Sequence, residues 1–253
     1  MFRSRVIPCL LLKNNGLVKT IKFKAPTYVG DPINAIKIFN EKEVDELILL
    51  DISAAVEHTS PQFDVIEKIA TECFMPVCYG GGIRDINTIK NIMSIGIEKV
   101  SISSYAVENP NFIKEAADKF GSQSIVVCID VKKNLWGGYE VIIHNGTKIT
   151  GIDPLNHAVK LEKMGAGELL INSVDRDGTM LGYDVELIKS IARNVGIPVI
   201  ACGGAGKLSD IRDVIKTGGA SSAAVGSLFV FHGKHRAVLI SYPEPKDLEA
   251  LLN

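Results

Sequence analysis

Four short clusters in this 253-residue chain have the composition of anion-binding turns: Gly80-Gly81-Gly82, Ser103-Ser104, Gly203-Gly204 and Gly226-Ser227. Glycine lets backbone amides approach a phosphate closely, serine hydroxyls can donate to it, and a helix starting at such a turn adds its positive end. Three acidic residues stand at comparable places. Asp51 and Asp130 close apolar runs, and Asp177 opens the turn Asp177-Gly178-Thr179. A carboxylate beside a phosphate cleft can move protons or orient a ligand. An Asp-Gly turn, or an Asp capping the loop after a strand, uses the same residues for structure alone. Five histidines (58, 144, 157, 232 and 235) and five cysteines (9, 73, 78, 128 and 202) show no metal-ligand spacing and no nucleophile–base arrangement. Four of the cysteines lie in apolar runs, so small buried side chains in a reduced compartment are expected, with neither metal nor cofactor.

Such residues act together only if a scaffold gathers their strand ends. Eight apolar runs recur along the chain: VIPCLLL (6–12), ELILLDI (46–52), PVCYG (76–80), KVSIS (99–103), SIVVCID (124–130), ELLINSV (168–174), PVIACG (198–203) and SSAAVGS (221–227). Near-continuous apolar runs mean strands covered on both faces. The amphipathic stretches between them open on Asp31-Pro32, Ser60-Pro61, Asn109-Pro110 and Asp153-Pro154, each a capping residue before a proline suited to the first turn. They close on Gly96, Gly121, Gly165 and Gly218. This pattern predicts one α/β domain over 1–253, a (β/α)8 TIM barrel, with an open doubly wound sheet as the competing arrangement. Barrel sites lie at the C-terminal strand ends, where the glycine and serine clusters fall. Residues 132–151 alternate in period two around Gly137-Gly138 and predict an extra β-hairpin after strand five.

The chain also repeats itself. PVCYGGGIRDINTIKNIMSIG (76–96) aligns with PVIACGGAGKLSDIRDVIKTG (198–218) at a constant offset of 122, and Cys9–Lys13 aligns with Cys128–Lys132 at an offset of 119. Two duplicated (β/α)4 halves imply a twofold site, with paired phosphate clefts for an elongated bisphosphate. The second alignment sets Leu11 opposite Asp130. A formal net charge of −1 supplies no basic field for nucleic acid. No apolar run reaches the ~18 residues of a membrane span, and MFRSRVIPCLLLKNN reads as a strand, not a signal peptide. A cytoplasmic chain is expected.

The stretches DISAAVE, YGGGIRD, KVSISSYAVENP, FGSQSIVVCIDVK, GAGELLINSVDRDGTMLGYD and ACGGAGK closely resemble the cyclase subunit of imidazole glycerol phosphate synthase, over essentially the whole chain. The resemblance implies a lyase-type barrel that takes ammonia from a glutaminase subunit docked at the N-terminal face. It implies phosphate sites at Gly82, Ser103 and Ser104 on one side, and at Asp177, Gly178, Gly204, Gly226 and Ser227 on the other. It implies a ring of alternating charge at the bottom of the barrel, formed by Arg5, Glu46, Lys99 and Glu168, with Ser101 and Asn172 along the route above. The family moves protons with two carboxylates; Asp130 is one, but the strand-one position holds Leu11, and a leucine can relay no proton. The loop KNNGLVKTIKFKAPTYVGDP also departs from the family's charged loop, and Ser103-Ser104 replaces its usual Asn-Thr.

Three readings follow. The first is a divergent barrel subunit of a glutamine amidotransferase, of the kind found with sugar-modifying enzymes in surface-polysaccharide pathways. The second is the ordinary cyclase of histidine biosynthesis, and the third a non-catalytic phosphate-binding scaffold.

Overall fold

Each of the eight apolar runs forms a strand: β1 Arg5–Lys13, β2 Leu47–Asp51, β3 Val77–Gly80, β4 Lys99–Ile102, β5 Ile125–Lys133, β6 Glu168–Ser173, β7 Val199–Cys202 and β8 Ser222–Val225. The computed structural model describes residues 4–57 and 59–252, so His58 lies outside the described residues. Neighbouring strands pair in parallel all the way round. β8 then pairs with β1, in a register that sets Arg5 beside Ser222 and Ile7 beside Ala224. The ladder is therefore a closed barrel, and the open-sheet alternative falls.

A helix follows every barrel strand: α1 Pro32–Glu41, α2 Phe63–Glu72, α3 Ile86–Ser94, α4 Asn111–Phe120, α5 Pro154–Lys163, α6 Val185–Ala192, α7 Leu208–Lys216 and α8 Pro245–Leu252. The Asp31 and Asp153 carboxylates accept from the amides of Asn34 (3.0 Å) and Asn156 (2.8 Å), as the Asp-Pro pairs predict; such a cap contributes about 1 kcal/mol. Ser60-Pro61 does not cap, because α2 begins two residues later, after Gln62. After α7 the left-handed residue is Gly219 (φ 76°), and not Gly218.

Apolar side chains fill two layers. The larger lies between strands and helices. The smaller fills the barrel itself, with Ile7, Cys9, Ile48, Cys78, Val126 and Cys128 among its members. Alternation along each strand divides residues between the two.

Two additions project past the C-terminal strand ends. After β5, strands Tyr139–Ile143 and Lys148–Ile149 run antiparallel, so the hairpin expected at 132–151 is present. Residues 13–30, read from the sequence as a loop, form a second hairpin: strands Gly16–Ile21 and Lys24–Gly30 continue β1 antiparallel. Both of its turns are two residues with positive φ, at Asn14-Asn15 (49° and 63°) and Lys22-Phe23 (53° and 62°). Asn adopts that conformation readily. Lys and Phe do not, so the second turn depends on outside contacts.

Candidate functional site

Of the mouth residues named from the sequence, all but Thr179 line one cavity at the C-terminal strand ends: Leu11, Asp51, Gly80, Gly81, Gly82, Ser103, Ser104, Asp130, Asp177, Gly178, Gly203, Gly204, Gly226 and Ser227. The twofold repeat reaches the backbone there. Gly81 and Gly82 after β3 have φ of 125° and 69°, and Gly203 and Gly204 after β7 have 89° and 111°. A Cβ on Gly82 would lie 2.7 Å from the Thr59 carbonyl, and one on Gly204 would lie 2.2 Å from the Gly182 carbonyl. Both positions need glycine to fit their neighbours as well as to offer amides. Ser103 (φ −112°, ψ −93°) and Gly226 (φ −102°, ψ −89°) share one conformation, each just before a short helix, Ser104–Glu108 and Ser227–Val230.

The carboxylates are held differently. Asp130 Oδ1 accepts from Asn172 Nδ2 at 3.0 Å, and Oδ2 accepts from Ser103 Oγ at 3.2 Å. Asp51 caps its own loop, accepting from Ser53 Oγ (2.7 Å) and the amides of Ser53 and Ala54. Asp177 lines the mouth, but its Oδ2 accepts from Thr20 Oγ1 (2.9 Å) and the Phe23 amide (3.4 Å), and its carbonyl from the Lys22 amide (3.0 Å). These are the outside contacts that hold the strained Lys22-Phe23 turn. Ser104 Oγ accepts from the His144 amide at 3.0 Å, which ties the turn after the strand Tyr139–Ile143 to the rim. Among the described residues, no group of three or more His, Cys, Asp or Glu could hold a metal ion.

Sequence reasoning passed over Lys19. It lies on the strand paired with β1, buried, and its Nζ donates to the Cys9 carbonyl at 2.5 Å in the cavity wall. A Cβ on Gly226 would lie 2.7 Å from that Nζ, so only glycine there leaves the ammonium its place. The one available signal was the alternation of Leu17, Lys19 and Ile21 beside the N-N-G turn.

Burial pushes the Asp130 carboxyl up to about 6 from 3.8; the Asn172 and Ser103 hydrogen bonds oppose this, and the Asp177 charge adds to it. The folded chain therefore holds this proton more tightly than the unfolded chain does. The resulting stability is complete below pH ~4 and lost as pH rises through ~6, so at pH 7.5 the ionised group costs roughly 3 kcal/mol. Asp130→Asn should accordingly be more stable than the wild type at pH 7.5 by about that amount, with the difference gone near pH 4. Urea denaturation at the two pH values measures it. Equal stability at pH 7.5 would show that the carboxylate is not desolvated.

At the other end of the barrel four charges close a ring. Lys99 Nζ donates to Glu46 Oε1 (2.9 Å) and Glu168 Oε1 (2.8 Å), while Arg5 donates to Glu168 Oε2 (3.0 Å), to Glu46 and to Ser222 Oγ (3.1 Å). Burial alone would lower the Arg5 and Lys99 pKa values, but the Glu168 hydrogen bonds and the two glutamate charges outweigh it and raise both. Two cations against two anions satisfy charges that would be costly alone. Between ring and mouth, Ser101 Oγ and Asn172 Oδ1 are buried with no protein partner. They could meet a small polar molecule inside the barrel.

Comparison with known proteins adds the following. A model of the family described as histidine biosynthesis protein matches residues 5–236. The chain is 57% identical over 249 residues to a Pseudomonas aeruginosa protein provisionally named imidazole glycerol phosphate synthase subunit hisF2, covering 98% of this chain and 99% of that one. It is 52% identical over 252 residues to a Leptospira borgpetersenii protein provisionally named subunit HisF of the same synthase, covering 99% of each. Against the imidazole glycerol phosphate synthase subunit HisF of Lactococcus lactis it is 45% identical over 230 residues, 90% of this chain and 89% of that one.

Proposed function

Because the chain belongs to the histidine biosynthesis protein family, as a cyclase subunit of the imidazole glycerol phosphate synthase type, we propose that it is the barrel subunit of a glutamine amidotransferase. A glutaminase docks at the N-terminal face and releases ammonia beneath the Arg5–Glu46–Lys99–Glu168 ring. The ammonia passes Ser101 and Asn172 and reaches an acceptor at the mouth, a phosphorylated sugar of the surface-polysaccharide kind. Gly82, Ser103 and Ser104 hold one anionic group of that ligand, and Gly178, Gly204, Gly226 and Ser227 the other. Asp130 takes or gives a proton there. The observation that carries this reading is the contrast between the two ends: the charge ring is complete, while Leu11 stands in the mouth where the family's second carboxylate is expected.

The glutaminase dock can be tested directly. Phe74, at the N-terminal face between α2 and β3, is 88% exposed and is the natural apolar anchor of that face. The purified chain should co-elute with a purified glutaminase and raise its glutamine hydrolysis. Phe74→Asp should abolish co-elution while leaving the barrel folded. Failure of the wild-type pair to associate would remove the basis of the proposal.

A second reading, direct cyclisation of a bisphosphate, is favoured by one observation. Asp130 has its proton balance near neutrality, and the Lys19 ammonium lies in the same cavity wall as Leu11, where it could serve as the second proton carrier.

A further inference from the structure

Resting on the amidotransferase reading, we propose that the mouth face is a docking surface for a second protein, an acceptor enzyme with an acidic and partly apolar surface. Exposed large apolar side chains gather on that face: Ile21 and Tyr28 from the first hairpin, Leu135, Trp136 and Ile149 from the segment after β5, and Leu181 from the loop after β6. Scattered exposed apolar residues are ordinary, but a group around one opening marks an interaction site. Leu135 and Trp136 form the tip of the hairpin, at 101% and 94% relative exposure. The tip is not slack: Asn134 Oδ1 accepts from the Trp136 amide (3.0 Å) and the Gly138 amide (2.9 Å), presenting both side chains outward. A rigid tryptophan is the kind of anchor on which interfaces concentrate their binding energy.

Charge identifies the complement. Residues 13–30 and 132–151 together carry seven lysines (13, 19, 22, 24, 132, 133 and 148) and one carboxylate, Glu140, in a chain whose net charge is −1. Lys22, Lys24, Lys132, Lys133 and Lys148 are exposed. Among the described residues only Lys133 of these five has a carboxylate within 4.0 Å, Asp184 at 3.9 Å. The exposed lysines of these two projecting segments steer an acidic partner onto their tips and set its orientation. The position favours a protein over an anionic bilayer. The face surrounds the opening where, on that reading, ammonia emerges and where Leu11 leaves Asp130 without a second carboxylate, so the further reacting group must come from whatever covers it. A lipid surface brings none.

Trp136 is the only tryptophan of the chain, so its emission reports on the tip. The test uses the full chain assembled with its glutaminase and with the purified enzyme that consumes the ammonia in reconstitution. The double variant Leu135→Asp, Trp136→Asp should lower glutamine-dependent amination by about tenfold or more. It should leave glutaminase binding, and the acceptor enzyme's own rate with ammonium salts, unchanged. Lys132→Glu with Lys148→Glu should weaken the same association and flatten its salt dependence. All four positions are exposed, so folding is not at stake. An unchanged glutamine-dependent rate in the aspartate variant overturns the proposal. So does a blue shift of Trp136 emission on phosphatidylcholine–phosphatidylglycerol vesicles, which would make the face a membrane contact. A wild-type chain that binds no glutaminase and couples to no ammonia-consuming enzyme overturns this proposal and the reading beneath it together, which keeps the two failures distinct.

Discussion

Leu11→Asp should raise turnover of the family's bisphosphate substrate by about 10²-fold or more, from a wild-type rate near background. Proton transfer by a positioned side chain is worth ~10²–10⁴-fold, and leucine has no proton to transfer. The backbone needed for the substitution is in place: Leu11 pairs in register with Leu50 of β2 on one side and Val18 on the other, and its side chain reaches the cavity that holds Asp130. A second carboxylate in that cavity would raise the Asp130 pKa further, because like charges at close range disfavour double ionisation. The variant's pH–rate profile should therefore turn over at or above the value of about 6 to which burial pushes Asp130. Ammonium salts replace glutamine in this assay, so that the rate reports the mouth alone. Wild-type turnover equal to that of ordinary cyclases would refute the claim that Leu11 disables the chemistry, and would favour Lys19 as the substitute.

Lys99→Ala should separate delivery from chemistry. Removing the ammonium leaves Glu46 and Glu168 facing Arg5 alone. Breaking one partner of a fully buried pair costs ~3–5 kcal/mol. Lys99 retains 17% side-chain exposure, so the loss should fall below that range and the barrel should still fold. Glutamine-dependent product should drop several-fold, since on the proposed reading the ring no longer closes the barrel above the glutaminase dock. Product formed from ammonium salts, which enter at the mouth, should persist. Both rates must be measured in the same preparation. An equal fall in both assigns the ring a structural role only, and no change in either means that ammonia takes another path.

Much of this architecture is legible in the sequence because one residue pattern dominates each element. The eight apolar runs become the eight barrel strands, since a strand covered on both faces has no reason to alternate. The 122-residue repeat is visible as α3 and α7, Ile86–Ser94 and Leu208–Lys216, and as the paired positive-φ glycines before them. The first hairpin is hidden for a physical reason. Its Lys22-Phe23 turn has neither glycine nor asparagine and is held from outside by Asp177, a residue 154 positions further along. Lys19 is hidden with it, because a lysine in a lysine-rich segment reads as solvated until the fold buries it. The charge ring joins residues separated by 41, 53, 69 and 163 positions, a closure that no local pattern encodes and only the family resemblance suggests. Asp177 is the converse case. Its Asp-Gly turn is plain to read, but its carboxylate faces the hairpin.

That last arrangement couples the hairpin over the mouth to the loop after β6. Freeing the hairpin means breaking the Thr20, Lys22 and Phe23 hydrogen bonds to Asp177 together with the Lys19–Cys9 bond and the ladder to β1, so it is fastened along its length and not at its turn alone. A change at Asp177 would therefore be felt along the cavity wall through the hairpin, whether or not its carboxylate meets a ligand.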